Sequence, residues 1–299
     1  MGECEKLPST EERYTERFAR VLAHLESHSE EAASLDALSG IAAFSRHHFH
    51  RQFSAHLGMS VYRYVQFMRM RRASWRLAFR TELSVGEIAL ATGYEGPEAF
   101  ARAFRQYSGQ SPSEFRAQPD WAEWHSRFRP FIHLRQTSMS TLEAHPVVRI
   151  VSFPATRVAM LEHRGSPLRL GDTIRKFIDW RKAHALPPRS SATFNIIYND
   201  PEETPPEEFR FSLCAATDKP IEPNETGVTA STLPAGRCAL LRHTGSDDQL
   251  GRSILHLYAN WLPGSGESPR DFPLFMQRVK FFPDVADSEA VTDIYLPLT

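Results

Sequence analysis

Residues 49–60 of the chain read FHRQFSAHLGMS, and residues 100–111 read FARAFRQYSGQS. Both stretches follow the pattern F-x-R-x-F-x4-G-x-S, and each comes after a short apolar segment and a small turn, at 35–41 and 85–91. Two phenylalanines four residues apart lie on one side of a helix, so we expect them to be buried and the arginine between them to point elsewhere. A short helix, a turn and a second helix, present twice, predict a tandem helix-turn-helix in an all-α first half.

Helix-start signals support this prediction. The capping pattern S-x-x-E occurs at Ser9, Ser84 and Ser111, and Pro112 stands at the first position of the helix that the last of these opens. Between the two copies, apolar residues recur at helical spacing from Val61 to Phe79, which predicts one long connecting helix.

A second duplication lies in the C-terminal half. Residues 154–165 read PATRVAMLEHRG and residues 234–245 read PAGRCALLRHTG, which share P-A-x-R-x-A-x-L-x-H-x-G. We therefore predict an α+β domain of two duplicated units with antiparallel sheets and pseudo-two-fold symmetry. Two helices, near 171–184 and 248–260, and several strand-like runs support it: 147–151, 156–161, 193–198, 209–215, 238–241 and 291–296.

Composition excludes several classes of protein. With 299 residues, 41% hydrophobic and 24% charged, the chain is an ordinary globular multi-domain protein. It has no apolar run of the ~20 residues that cross a bilayer, and its charged N-terminus does not resemble a secretion signal. Cys4, Cys214 and Cys238 have the spacing of neither a disulfide framework nor a zinc site. We expect a cytoplasmic protein without cofactor, metal or membrane partner.

Charge is distributed unevenly. Residues 37–119 contain eleven arginines, no lysine and only five acidic residues, although the whole chain has a net charge of −1. Arginine presents a planar set of donors that suits phosphate groups and guanine edges. This concentration favours a nucleic-acid partner for the helical half.

These residues also resemble two known families. The segment from Leu35 to Arg116 resembles the AraC/XylS-type DNA-binding domain, carried by FSRHHFHRQFSAHLGMSVYRYV, RMRRASWRL and SVGEIALATGYEGPEAFARAFRQYSGQSPSEFR. The segment from Val147 to Leu298 resembles a GyrI-like small-molecule-binding domain, carried by the repeat, by Asn-Asp-Pro at 199–201 and by Trp-Leu-Pro-Gly-Ser-Gly at 261–266. We accordingly divide the chain into a DNA-binding domain at 9–119, a linker at 120–145 and an effector domain at 146–299.

The first resemblance implies that the second helix of each helix-turn-helix enters a major groove of double-stranded DNA. His47, His50 and Arg51 share one face of the first such helix, which makes them candidate base-reading residues. The second helix offers Pro97 and Glu98, which are poorer in donors, so we expect the first to discriminate more. The complete predicted DNA-binding set is Ser45, Arg46, His47, His50, Arg51, Gly96, Pro97, Glu98, Arg102 and Arg76.

Alternatives for these residues stay open. Arg51 and Arg102 could be solvated helix charges, and His47, His48 and His50 could form a metal site. The arginines at helical spacing along the connecting helix suit a solvated face and phosphate contact equally well: Arg69, Arg72, Arg76 and Arg80.

The second resemblance implies an effector pocket between the two repeats, although aromatic residues there could simply fill the core. The predicted ligand-binding residues are Tyr198, Phe211, Trp261, Phe275, Met276 and Glu162. The family pattern often places an acid after the phenylalanine in P-x-F-E and an aspartate in Y-D-x-C, where this chain has Met276 and Ser212. We therefore expect a neutral or weakly anionic, largely apolar effector.

The sequence thus predicts a transcription regulator that binds DNA and a small effector, contacts RNA polymerase and is not an enzyme; its oligomeric state is left open. The alternative is a DNA-binding protein whose second half hydrolyses or sequesters a small molecule. His163 and His243 could serve such a reaction, but equivalent residues of a repeat more often serve strand ends and packing. A third possibility is that the second half only contacts other proteins.

Overall fold

The computed structural model describes residues 10–28, 34–138, 146–201 and 203–299, so Ser9 and Cys4 lie outside the described residues. The described residues fall into two compact units. The first comprises 10–28, 34–118, 126–138 and 286–288, and the second comprises 119–125, 146–201, 203–285 and 289–299. The all-α and α+β halves that the sequence predicts are confirmed.

The first unit is built from helices. They are α1 (Thr10–Ser27), α2 (Leu35–Ile41), α3 (Arg46–Leu57), α4 (Val61–Phe79), α5 (Val85–Ala91), α6 (Pro97–Ser108), α7 (Pro112–Ala117) and α8 (Trp121–Ser138). The first five residues of α8 are grouped with the second unit. Helix pairs α2–α3 and α5–α6 are the two helix-turn-helix motifs, and α4 is the predicted connecting helix.

The repeated F-x-R-x-F-x4-G-x-S pattern has a structural reason at each fixed position. Both phenylalanines of each copy are fully buried, and the arginine between them is exposed. The glycine ends the helix in the left-handed conformation, with φ of 66° at Gly58 and 86° at Gly109, which glycine adopts without strain. The serine, Ser60 or Ser111, then accepts a backbone hydrogen bond at the start of the next helix.

Capping boxes at the starts of α5 and α7 are present as the sequence predicts. The hydroxyls of Ser84 and Ser111 accept from the N–H groups of Glu87 and Glu114, whose carboxylates accept from the serine N–H groups in return. These hydrogen bonds lower the pKa of both glutamates. The caps help to fix where the second motif and α7 begin.

A buried ionic cluster joins several helices of the first unit. Arg135 of α8 lies 3.0 Å from Glu26 of α1, which also accepts a hydrogen bond from Tyr64 of α4. Asp287 pairs with Arg135 and with Arg71 of α4. Burial raises the pKa of Glu26, and the charge of Arg135 opposes that rise. The segment predicted as a linker therefore supplies a core helix.

The second unit is an antiparallel sheet with helices on one face. Its strands are β1 (Val148–Phe153), β2 (Thr156–Arg164), β3 (Thr193–Ile197), β4 (Arg210–Ala216), β5 (Thr229–Leu233), β6 (Gly236–Thr244), β7 (Phe275–Lys280) and β8 (Val291–Pro297). Its helices are α9 (Leu170–Ala183), α10 (Leu250–Leu255), a π-helical stretch at His256–Trp261 and α11 (Leu262–Ser265).

The strand order is β1-β6-β8-β7-β3-β4-β2-β5, with every neighbouring pair antiparallel. Each half of the sheet therefore repeats the other about an axis between β3 and β7. The two repeats also exchange a strand, because β1 pairs with β6 and β5 pairs with β2. The predicted pseudo-symmetric duplication is confirmed, with this exchange as an addition.

The two faces of the sheet differ. One face carries an aromatic cluster and is called the aromatic face; its central rings are Phe153, Phe194, Phe275 and Tyr295. The opposite, helical face packs against α9 and against α10 with the π-helical stretch. Because successive strand residues point to opposite faces, each strand contributes to both.

The repeated histidines fasten strands β2 and β6 to the elements that follow them. His243 is buried, with Nδ1 2.9 Å from the Ser253 hydroxyl and Nε2 3.1 Å from the Ser246 carbonyl. His163 makes the same two contacts with Thr173 and Ser166, at 2.7 and 3.2 Å. The following glycines, Gly165 and Gly245, have φ of 109° and 131°, which accounts for the end of the repeat.

Candidate DNA-binding surface and effector site

Helix α3 presents a polar surface to solvent. Its side chains at Arg46, His47, His50 and Arg51 are exposed, whereas Phe49, Phe53 and Leu57 face the core. Arg46 also lies 3.4 Å from Asp36 of α2 in an exposed ion pair. Ser45 is the N-cap residue, and its side chain makes no capping bond. This helix can therefore offer imidazole and guanidinium groups to a duplex.

Helix α6 presents the equivalent surface with different chemistry. Pro97, Glu98 and Arg102 are exposed, and the helix begins after Gly96. Gly96 has an extended backbone (φ −160°) with nothing within 4 Å of an added Cβ among the described residues, so no strain requires glycine there. The surface offers one guanidinium group and one carboxylate, a poorer donor set than that of α3.

The arginines along α4 are integrated into the first unit. The guanidinium of Arg69 lies against Gly93, in the turn of the second motif. Arg76 is half-buried in the last turn and interacts with other residues of the chain. Arg71, which sequence reasoning did not single out, is buried in the ionic cluster. The phosphate-contact role of Arg76 stays a prediction.

The histidines of α3 are spread along an exposed surface. Among the described residues, no three His, Cys, Asp or Glu side chains converge in a way that could hold a metal ion. The arrangement of His47 and His50 is instead that of neighbours on a face that could approach DNA.

The aromatic face of the second unit combines buried rings with polar groups nearer its accessible end. Phe275 stacks on Tyr295 with a centroid distance of 5.0 Å, and Phe153 packs edge-on against both. Tyr198, half-buried, packs against this cluster, and its hydroxyl lies 3.1 Å from the Ser212 hydroxyl. Such a surface provides apolar contact area with a few hydrogen-bonding groups.

Two carboxylates on the described strands of this face are paired with arginines. Glu162 lies 2.5 Å from Arg210 and 3.2 Å from Arg164. Burial alone would raise the pKa of Glu162, but the hydrogen bonds and charges of Arg210 and Arg164 lower it overall. Asp293 receives two parallel hydrogen bonds from Arg242, at 2.7 and 2.8 Å.

The structure separates the six predicted ligand-binding residues into two groups. Tyr198, Phe275 and Glu162 lie on the aromatic face, by contact with its cluster or by strand alternation from Met160. The other three, Phe211, Trp261 and Met276, belong to the cluster beneath α10 on the helical face. Phe275 and Met276 are consecutive in β7 and so cannot face the same side. The absence of the family's acid at Met276 therefore does not change the charge of the aromatic face. The absence of the family's aspartate at Ser212 does, because Ser212 lies on that face.

Sequence reasoning missed the arginines of the aromatic face. Arg210 directly precedes Phe211, which was predicted as a ligand-binding residue. Strand alternation from Ser212 would have placed Arg210 on the same face as Tyr198. The partner of Asp293 depends on the register between β6 and β8, which pairs Arg242 with it across many intervening residues. No local signal in the sequence indicates that pairing.

The buried Cys214 thiol and the two repeated histidines of this unit are held in place. Burial raises the pKa of the Cys214 thiol to about 12. Both ring nitrogens of His163 and His243 are occupied by a hydroxyl and a carbonyl.

Comparison with known proteins places both units. Residues 146–299 match the model of the GyrI-like small molecule binding domain, which is more than half of the chain. The chain belongs to the GyrI-like family. Residues 38–118 match a helix-turn-helix domain, and that domain is of the AraC type. The two matches give an AraC-type helix-turn-helix domain followed by a GyrI-like domain, the organisation of a DNA-binding transcriptional regulator.

Parts of the chain are similar to individual proteins and to a solved structure. The chain is 40% identical over 152 residues to the probable transcriptional regulator YgiV of Escherichia coli K12, a match that covers 50% of this chain and 95% of that protein. It is 32% identical over 103 residues to the uncharacterized HTH-type transcriptional regulator YbfP of Bacillus subtilis, covering 34% of this chain and 35% of that one. The crystal structure of the DNA-binding domain of AdpA with a target DNA matches 37% of this chain and 95% of that chain, at 29% identity and a TM-score of 0.30.

Across the described residues, the helices are too short or too polar to span a membrane.

Proposed function

We propose that this GyrI-like protein is a sequence-specific transcription regulator that reads two successive major grooves with α3 and α6. The observation that carries the proposal is the pair of exposed helices, each anchored by two buried phenylalanines and joined through α4. At ~1.5 Å per residue, the 19 residues of α4 span about 28 Å. That length approaches the ~34 Å of one turn of DNA, so one chain can present both helices to one side of a duplex.

The two helices should contribute unequally to specificity. Arg51 can donate two hydrogen bonds to one guanine edge, and His47 and His50 add further groups on the same face of α3. On α6, Pro97 has no side-chain donor and Glu98 would repel phosphate. We therefore assign most of the base discrimination to α3, and assign the N-cap positions Ser45 and Gly96 to phosphate contact through backbone amides.

Selection from a random DNA pool, followed by footprinting, tests this assignment. We expect protection on one side of the duplex with half-sites about 10 bp apart. Arg51→Ala should weaken the selected site by ~1–3 kcal/mol and relax the preference at one base position. Arg149→Ala, which changes an exposed arginine of β1, is the matched control and should leave DNA binding unchanged. Protection on both sides, or an unchanged preference for Arg51→Ala, would overturn the reading of α3.

The second unit supplies the regulatory input of this proposal, by binding a small effector on the aromatic face. The half-buried Tyr198 and the apolar cluster beside it support binding of an apolar body. A cationic effector would need a carboxylate free to act as counter-charge, and Glu162 and Asp293 are both engaged by arginines. The effector is accordingly neutral or anionic.

Effector binding can regulate DNA binding only if the effector prefers one of two states of the protein. Titration of operator DNA with and without a stabilising compound measures this coupling directly. Mass spectrometry of the compound after incubation separates a sensor from a hydrolase, because a sensor returns it unchanged. The proposal includes RNA polymerase as a further partner and a cytoplasmic location where DNA is available. It also includes a DNA-binding domain at 9–119 and an effector domain at 146–299, with the segment 120–145 between them.

A further inference from the structure

On the aromatic face, the charges around Glu162 do not balance one another. Arg164 and Arg210 both contact the single carboxylate of Glu162, so this group of three side chains has a net charge of +1. The other ion pair on the face, Arg242 with Asp293, is one to one and therefore neutral. The two halves of the pseudo-symmetric sheet thus differ in charge at equivalent places.

Arg210 is held in a fixed position while part of it remains accessible. Its Nε donates to Glu162, and its guanidinium carbon lies 4.3 Å from the centre of the Tyr198 ring. Its backbone N–H donates to Asn199 Oδ1 at 3.0 Å. The side chain is 39% exposed, and in the described part of the chain its terminal nitrogens make no hydrogen bond. Two donors are therefore available beside an aromatic surface.

The surroundings of Arg210 define the shape of a ligand. Tyr198 and Ile196 continue from it along one face of β3 toward the buried rings, and the Ser212 hydroxyl beside Tyr198 adds one polar group. A molecule with an anionic end at Arg210 and an apolar ring over Tyr198 would satisfy both parts of this surface. A planar guanidinium binds a carboxylate with two parallel hydrogen bonds.

We propose that Arg210 anchors the effector, and that the effector is an aromatic or alicyclic carboxylate. This inference rests on the proposed effector function and narrows it to an anionic ligand class. Arg210 is then the residue that sets specificity for charge, while the apolar face supplies affinity for the ring. Arg242 is a poorer anchor, because its charge is balanced by Asp293, which receives two parallel hydrogen bonds from it.

The test uses three probes of one shape and different charge: 1-naphthoate, 1-naphthamide and 1-naphthyltrimethylammonium, titrated into the full chain by calorimetry. Wild type should bind the carboxylate at least about ten-fold more tightly than the amide, as expected for a charge-assisted bond. Arg210→Gln should remove that preference by lowering carboxylate affinity more than amide affinity, and Arg210→Lys should restore part of it. Glu162 keeps Arg164 as a partner in both variants, so its charge stays compensated. Arg157→Gln, at an exposed position of the same strand as Glu162, is the matched control.

The outcomes separate the two levels of the proposal. Suppose that the amide binds wild type. If wild type shows no preference for the carboxylate, or if Arg210→Gln keeps that preference, the anchor role of Arg210 is wrong and effector binding stands. If the ammonium compound binds most tightly, the anionic class is wrong. If all three probes fail to bind at millimolar concentration, both the anchor and the effector function of this face are overturned.

Discussion

Replacing Gly171 by alanine should destabilise the second unit, and the same change at Gly251 should not. Both glycines follow a leucine in the repeat and occupy the second position of a helix, α9 or α10. An added Cβ at Gly171 would lie 2.3 Å from Cε2 and 2.4 Å from Nε1 of the Trp121 ring. At Gly251 it would meet nothing within 4 Å in the described structure.

The magnitude follows from two opposing effects. Alanine in place of glycine favours a helix by ~0.5–1 kcal/mol, and this gain applies to both positions. Only Gly171→Ala must also displace the buried ring of Trp121, and overpacking of this kind costs ~1–3 kcal/mol. The helix gain cancels in the comparison, so the two variants should differ by ~1–3 kcal/mol. For a unit of this size, that corresponds to a melting-temperature difference of about 2–12 °C.

Thermal unfolding of the full chain, followed by circular dichroism, measures the difference, since both substitutions lie in the same unit. The double-mutant cycle with Trp121→Leu isolates the contact, because a smaller side chain leaves room for the new methyl group. In that background, Gly171→Ala should cost no more than Gly251→Ala. Equal melting temperatures for the two single variants would refute the steric reasoning, as would a Gly171→Ala penalty that persists with Trp121→Leu.

Three further predictions concern the helix caps, the histidine contacts and the buried thiol. The pKa values of Glu87 and Glu114 are lowered in the folded state, so the stability that they add is present above the usual pKa of 4.5 and is lost as pH falls below it. The double variant Glu87→Gln, Glu114→Gln should flatten that part of a curve of unfolding free energy against pH. His243→Ala should lower the free energy of unfolding, measured in urea, by roughly 1–3 kcal/mol, because it leaves the Ser246 carbonyl and Ser253 hydroxyl buried without the histidine. A decrease of only a few tenths of a kcal/mol would contradict the role of His243 in holding β6 to the following helix. The Cys214 thiol, whose pKa burial raises to about 12, should resist iodoacetamide at pH 8 in the folded protein and react after denaturation, as mass spectrometry can show.

The helical unit could be predicted closely from the sequence because its signals are local. The spacing of Phe49 and Phe53 sets one buried side of a helix, Gly58 ends that helix, and Ser60 begins the next. Each of these signals acts within about one helical turn. The ionic cluster around Arg135 could not be predicted in this way, because its members come from separate helices and from Asp287, far along the chain.

The sheet could be predicted only in part because its pairing is not local. The repeat indicated two similar units, but the exchange of β1 and β5 depends on contacts between distant strands. Strand β5, Thr229–Leu233, is mostly exposed along an edge and has a weak apolar pattern, which explains its omission from the predicted strands. The faces of β7 could have been separated by alternation alone, since Phe275 and Met276 are adjacent.

The internal repeats help to identify residues that the fold requires. Several positions that are identical in the two copies have structural duties: the buried phenylalanines in the helical unit, and the histidine and glycine that fasten each long strand. Among the positions that differ, one pair lies on an accessible surface. Glu162 in the first repeat corresponds to Arg242 in the second, and their cross-strand partners are Ser212 and Asp293.

Because of this difference, the two ends of the aromatic face are chemically different. A pseudo-two-fold sheet with identical copies would present the same groups to both ends of a ligand. Here one end offers Arg210 over Tyr198, and the other offers the closed pair of Arg242 and Asp293. A ligand with one charged end and one apolar end would then bind in a single orientation. A symmetric ligand with two carboxylates should gain little over one carboxylate, because the second would meet Asp293 and its already paired arginine.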